Sequence, residues 1–326
     1  MLDRARALLA AIVARRWLVI LLQLAFLGAL AVFLTIELRS TWHGAYPRLR
    51  HAQIPWLFAA SGAVAAYYLV FVFGWQAILR QFGAPLPYLP SLRAEMLSLL
   101  AKYVPGGVWT PAARVVAARR YGVDDTTMVL TSIALEAGLS AISGVLVLLV
   151  GILFVGNVSA TIWPVAVFAA ALVVLVHPRV FAIWSRRLVR IFGVDEPPPV
   201  LSIPAILGLL LFYCGTWVLG GLGFWCIIRS VAHPPFSSVP FLGGVSAVGA
   251  IVSVLVVIAP SGLGVREAST YALIIAVAPH DAALGAVVLN RLVITAVEGV
   301  LLAGAAVWPD RGVPVAPPDP EPEPSG

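Results

Sequence analysis

The chain has 326 residues, of which 61% are hydrophobic and only 11% charged, and its mean hydropathy is +0.98. Ordinary soluble domains are about one quarter charged, and a soluble protein this apolar would expose large patches and aggregate. The formal net charge of +6 is spread between apolar runs, which favours a role in membrane topology over nucleic-acid binding. The composition therefore predicts an all-α polytopic membrane protein.

Seven apolar stretches approach the roughly 20 residues that a membrane-spanning helix needs. In chain order they are 17–36, 54–74, 128–152, 162–176, 203–228, 241–259 and 285–308. Two weaker segments, 89–104 and 268–278, are not assigned as full spans. We expect about seven to eight transmembrane helices, and we interpret the first stretch as a retained span rather than a cleavable signal peptide.

The distribution of basic residues predicts the orientation. Fourteen of the 21 Lys and Arg residues precede the first predicted span or follow the second or the fourth. Alternation then places the N-terminus on the cytoplasmic side of the cell membrane, with the three arginines of 37–53 as an exception. We expect 1–308 to form one integral membrane domain and the proline-rich, acidic segment 309–326 to be a disordered cytoplasmic tail.

Two glycine-containing stretches indicate an internal repeat. Pro105 begins "PGG" and Pro260 begins "PSG", 155 residues later, and an arginine follows each turn. Thirty-one residues beyond each proline lies a charged residue inside a predicted span, Glu136 in one case and Arg291 in the other. The spacing predicts half-repeats of about 54–152 and 203–308, in inverted orientation, each with a re-entrant segment. The alternative is that 241–259 and 268–278 simply cross the membrane and a short loop joins them.

Charges inside predicted spans mark the candidate site, because a charge at the bilayer centre costs about 2.5–3.5 kcal/mol on insertion scales. One interpretation is a polar cavity in which arginines and glycine-turn N–H groups hold an anionic group. The other is that the charges pair and lock helices together. The candidate substrate-binding residues are Lys102, Pro105, Gly106, Gly107, Arg114, Glu136, Pro260, Gly262, Gly264, Arg266, Glu267, Asn290, Arg291 and Glu298.

No pattern of catalytic or metal-ligating residues is found in the sequence. The five histidines fall in loops or at span ends without clustered spacing, and Cys214 and Cys226 lie twelve residues apart within one apolar run. Neither spacing is typical of a metal site or a disulfide framework. We therefore expect no metal, no cofactor and no catalytic residues.

Two motifs resemble a known family. "KYVPGGVWTPAARVVAARRYGV" followed by an acid in the next span, and "APSGLGVREAS" followed by "LNRLV", are similar to the membrane region of lysylphosphatidylglycerol synthases, which also occurs as stand-alone flippase-like proteins. The resemblance covers about 15–308 and implies a helical fold with re-entrant segments that moves a lipid or lipid-linked group between leaflets. The family often has Glu-Arg where this chain has Glu136-Ala137. Since the chain continues only eighteen residues beyond the last predicted span, we expect no aminoacyl-transfer activity.

The leading hypothesis is a translocase for a lipid or lipid-linked glycan, or an accessory to one, rather than an enzyme. An anionic head group would bind between the halves, and membrane lipids and glycan-biosynthesis proteins are the expected partners. The alternatives are a polytopic glycosyltransferase that uses a polyprenyl-phosphate donor and a non-transporting partner in envelope assembly. A glycosyltransferase generally needs a carboxylate in an external loop, and the predicted external loops offer only Glu37 at the membrane edge.

Overall fold

Eight α-helices form the described part of the chain, which comprises residues 50, 52–102, 109–155, 201–255 and 264–307 of a computed structural model. They are α1 (Ile54–Gln81), α2 (Tyr88–Ala101), α3 (Trp109–Arg119), α4 (Thr126–Ile152), α5 (Ile203–Val231), α6 (Val239–Leu255), α7 (Val265–Ile274) and α8 (His280–Val307). A 3-10 turn, Phe236–Ser238, precedes α6.

Five segments are long and apolar enough to cross a membrane. They are α1, α4, α5, α8 and the stretch Phe236–Val254, which contains most of α6. The all-α, multi-pass architecture is therefore confirmed, and so are the predicted spans in these five places. The predicted spans 17–36 and 162–176 lie outside the described residues, as does the predicted tail.

The surface of these helices fits a lipid environment. Phe58, Leu211 and Val300 are each more than 70% exposed on the membrane-length helices α1, α5 and α8. Helices that are apolar on the outward face as well as the inward one are typical of membrane spans. Proline lies in the first turn of both α1 and α5, where its missing N–H leaves no hydrogen bond unmade.

Helices α1–α4 and α5–α8 have the same order of lengths. The first four contain 28, 14, 11 and 27 residues, and the second four contain 29, 17, 10 and 28. The packing partners correspond as well: α6 packs on α4 as α2 packs on α8, and α4 packs on α5 as α8 packs on α1. We call these two groups of four helices the first and second halves. A gene duplication would leave this pattern, and the half-repeat boundaries stay a prediction.

The corresponding helices α1 and α5 run antiparallel. The backbone N–H of Gln53, before α1, donates to the carbonyl of Ser230 near the end of α5 at 3.0 Å, whereas Gly74 late in α1 meets Tyr213. Equivalent helices that point in opposite directions are what an inverted repeat requires.

Helices α2 and α7 are too short to cross a membrane alone. At 1.5 Å per residue they are about 21 Å and about 15 Å long, against a hydrocarbon core of about 30 Å. The described residues therefore disfavour the alternative in which 268–278 crosses the membrane as a separate helix. The turns that precede α3 and α7, at 103–108 and 256–263, lie outside the described residues.

Glycines let α4 and α6 pack backbone to backbone. A Cβ atom at Gly244 would overlap the backbone of Leu148, and one at Gly151 would overlap that of Phe241. Close approach through small residues is a common way for membrane helices to associate. This contact joins the last helix of the first half to the second helix of the second half.

We expect Gly244→Ala to destabilise the protein by about 1–3 kcal/mol, since the added methyl overpacks the contact between α4 and α6. Thermal unfolding in detergent micelles measures the change. Gly208→Ala in α5 is the matched control, because nothing lies within 4 Å of a Cβ at that position. Equal melting midpoints for both variants would contradict the packing argument.

Candidate functional site

Three buried charged residues form a group that we call the buried triad: Glu95, Arg114 and Glu136. Arg114 on α3 makes ion pairs with Glu95 on α2 and Glu136 on α4. The three residues are only 7%, 5% and 4% exposed. The triad therefore ties the two short helices of the first half to its last long helix.

Aromatic residues enclose the buried triad. The Trp75 ring lies 4.6 Å from the Arg114 guanidinium carbon, in the range of a cation–π contact. Trp75 is itself held by a 2.8 Å hydrogen bond that its Nε1 donates to Ser132. From the second half, the Tyr213 hydroxyl donates to Glu136 Oε1 at 3.4 Å, and it can reach there because Gly74 leaves room where a Cβ would overlap it.

A second group, the Glu298 cluster, connects the two halves. Glu298 Oε1 on α8 accepts hydrogen bonds from Lys102 Nζ, just after α2, and from the Tyr68 hydroxyl of α1, both at 2.5 Å. Glu298 is 7% exposed. An anion buried to this extent needs such partners, so these contacts couple the position of α2 to that of α8.

The third feature is a small polar cleft between α7 and α8, with an enclosed volume of about 10 Å³. It is lined by Arg266, Glu267, Thr270, Val287, Asn290, Arg291 and Ile294. Arg291 Nη1 lies 3.7 Å from Glu267 Oε1, and the two side chains are 20% and 27% exposed. Because this pair is long and partly open, Arg291 is not sealed by its carboxylate as Arg114 is.

Glycine and glutamate fix the start of α7 beside the cleft. Gly264 has φ +81°, a conformation that favours glycine, and its N–H donates to Glu267 Oε2 at 2.8 Å. Glu267 thus caps α7 with one oxygen and faces Arg291 with the other. The cap places Arg266 at the first turn of α7.

Arg266 makes no ion pair with any carboxylate in the described parts of the chain. It packs against α6, where a Cβ at Gly249 would lie 3.3 Å from Arg266 Cγ. Arg266 and Arg291 are both near enough to act electrostatically on Lys102. Two arginines and one glutamate leave the cleft with a formal surplus of one positive charge.

The two halves carry the same ion pair with exchanged signs. In the first half the third helix supplies Arg114 and the fourth supplies Glu136. In the second half the third helix supplies Glu267 and the fourth supplies Arg291. The two similarly ordered halves therefore contain a buried, acid-rich group in one case and a partly open, arginine-rich cleft in the other.

The structure groups the described candidate residues into these three features. Lys102 and Glu298 meet, Arg114 and Glu136 meet, and Gly264, Arg266, Glu267, Asn290 and Arg291 surround the cleft. Pro105, Gly106, Gly107, Pro260 and Gly262 lie outside the described residues. The contacts of Arg114 fit the helix-locking interpretation, and a substrate contact of this residue stays a prediction.

Sequence reasoning missed four residues of these groups: Glu95, Trp75, Tyr68 and Tyr213. Glu95 had a signal, since it is the only acidic residue between Glu37 and Asp124 and lies in the weak apolar segment 89–104. The aromatic residues had none, because a membrane span contains many Trp and Tyr residues and only packing selects these three.

A family model described as the lysylphosphatidylglycerol synthase TM region matches residues 20–301 of the chain. No curated protein matches this chain. The matched range contains all three charged groups.

Arg114→Ala should destabilise the protein by about 3–5 kcal/mol, because it leaves the buried acidic side chains of Glu95 and Glu136 without their cation. Thermal or denaturant unfolding in detergent measures the loss. Arg120→Ala is the control, since Arg120 follows the same helix and is exposed. Equal stability of the two variants would show that the triad does not hold α2, α3 and α4 together.

Proposed function

Because the chain belongs to the lysylphosphatidylglycerol synthase TM region family, as its match over 20–301 establishes, we propose that it moves a lipid or lipid-linked glycan between leaflets, or assists a protein that does. The anionic head group would bind in the cleft between α7 and α8. The reaction would be a translocation in which no covalent bond of the lipid is made or broken.

The observation that carries this proposal is the pairing state of the two cleft arginines. Arg266 has no carboxylate partner among the described residues, and Arg291 has a partner only at 3.7 Å. An arginine inside a membrane-length bundle is costly unless something satisfies it. A phosphate or phosphodiester could do so, since its oxygens match the paired donors of guanidinium groups.

The size of the cleft sets a condition on the proposal. Its enclosed volume of about 10 Å³ is room for about one water molecule, so a head group would enter only after α7 and α8 move apart. The acyl chains would stay in the bilayer. Asn290 and Thr270 add neutral hydrogen-bonding groups to the lining.

We propose the cytoplasmic membrane as the location and the cytoplasm as the side of the N-terminus. The support is the excess of Lys and Arg in the segments that alternation places inside, which is the usual sign of cytoplasmic loops. Proteins of lipid or glycan synthesis are the partners that this location favours.

A reconstitution experiment tests the proposal. Purified protein in vesicles is supplied with phosphatidylglycerol that carries a fluorescent acyl chain, and in parallel with a fluorescent polyprenyl-phosphate sugar. A membrane-impermeant quencher then reports which leaflet holds each probe. We expect movement of at least one probe and a loss of about ten-fold or more in Arg266→Ala and Arg291→Ala, since a hydrogen bond to a charged group contributes about 1.5–3 kcal/mol.

Arg80→Ala is the matched control, because Arg80 is exposed at the end of α1 and should leave the rate unchanged. Normal rates in folded Arg266→Ala and Arg291→Ala would contradict the assignment of the cleft. No movement of either probe by the unaltered protein would contradict intrinsic translocation and favour the accessory role.

A further inference from the structure

We propose that the buried triad is a proton-binding site, in which one of the two carboxyl groups, Glu95 or Glu136, is protonated at neutral pH. This inference concerns the first half of the chain and goes beyond the proposed head-group site. Its basis is the charge of the triad and its burial.

The charge count of the triad is unbalanced. Two carboxylates face one guanidinium, so full ionisation would leave one net negative charge. All three side chains are less than 10% exposed. The effective cost of an uncompensated ion in a protein interior is several kcal/mol, and a buried carboxyl usually takes up a proton instead. One bound proton makes the triad neutral.

Among the described residues, the neighbouring groups supply no second cation to the triad. Arg93 lies two residues from Glu95 on α2, positions that do not face each other, and its Nε donates to the carbonyl of Ala305 at 3.1 Å. Lys102 makes an ion pair with Glu298. The facing groups from α1 and α5 are Trp75 and Tyr213, both neutral, and Tyr67 of α1 also lies within electrostatic range of Glu136.

Hydrogen bonding within the triad is incomplete on the side of the arginine. Arg114 Nε is buried and has no acceptor within the described residues, whereas Glu95 Oε2 lies against Arg114 Nη2. Buried polar atoms are rarely left without a partner. The guanidinium stays protonated, so the proton that the triad gains or loses belongs to a carboxyl group.

The proton balance of the proposed step is simple. A proton from water binds one carboxylate oxygen and returns to water when it leaves, with no change in electrons or covalent bonds elsewhere. The deprotonated triad carries a buried negative charge, which favours a conformation in which water reaches α2 and α3. Because α2 leads directly to Lys102 of the Glu298 cluster, such a movement would also alter the connection between the halves.

Infrared spectroscopy of the full-length protein in lipid bilayers tests the site without any transport assay. We expect the carbonyl stretch of a protonated buried carboxyl at neutral pH. The same band should be lost in Glu95→Gln and in Glu136→Gln, because the single remaining carboxylate then balances Arg114 and ionises. Glu267→Gln is the control and should keep the band, since Glu267 lies in the cleft on the other half.

Thermal unfolding of the same variants separates the proposal from a purely structural role. Each single glutamine variant should keep the melting midpoint of the unaltered protein, because glutamine resembles a neutral carboxyl. The double variant Glu95→Gln/Glu136→Gln should melt lower, since Arg114 is left without an anion. Absence of the band in the unaltered protein, its persistence in both single variants, or unfolding of both single variants would each overturn the proposal.

A link between this proton and lipid movement rests on the proposed function. In the vesicle assay, the rate for the unaltered protein should change with pH, and the rate for Glu95→Gln should not. If neither probe moves while the infrared band is present and lost in the glutamine variants, the proton site stands and the translocase proposal fails. A pH-dependent rate in both the unaltered protein and Glu95→Gln would place the coupling elsewhere.

Discussion

Hydrocarbon offers no partner to a charge or to an unpaired backbone group, so every ionic side chain in this bundle must find one inside the protein. That constraint explains why most of the described buried charges fall into three groups, while Arg93 lies outside them and donates to the carbonyl of Ala305. Arg114 is covered by two acids and a tryptophan. Glu298 is met by a lysine and a tyrosine. The two cleft arginines are paired less completely, with Arg291 Nη1 at 3.7 Å from Glu267 Oε1, and the proposed head-group site rests on this difference.

The short helices are what bring these groups together. Helices α2, α3 and α7 are each too short to span the membrane, yet they carry Glu95, Arg114, Arg266 and Glu267 to the long helices α4 and α8. Broken helices expose backbone N–H groups and place charged side chains near the middle of a bundle, which long uninterrupted helices cannot do at the same cost. The fold thus positions these charged groups by ending helices inside the bundle, and not by extending long side chains from helices that cross it.

Much of this architecture was accessible from the amino-acid sequence. Apolar run lengths predicted the five membrane-length helices, and the spacing from Pro105 and Pro260 led to the residues on α4 and α8 that form the ion pairs. The ion-pair partner of each charge could not be predicted from the sequence. Arg291 and Glu298 share a helix face at spacing seven, yet Arg291 pairs with Glu267 on α7 and Glu298 pairs with Lys102 just after α2. Periodicity describes one helix at a time, whereas partners across the bundle depend on which faces pack.

The exchanged signs of the two ion pairs have an electrostatic consequence. In the first half the guanidinium lies between two acids, whereas in the second half it is partly exposed beside one acid. Interchange of an acid and an arginine between the third and fourth helices is therefore enough to give two similarly ordered groups of helices an opposite local polarity.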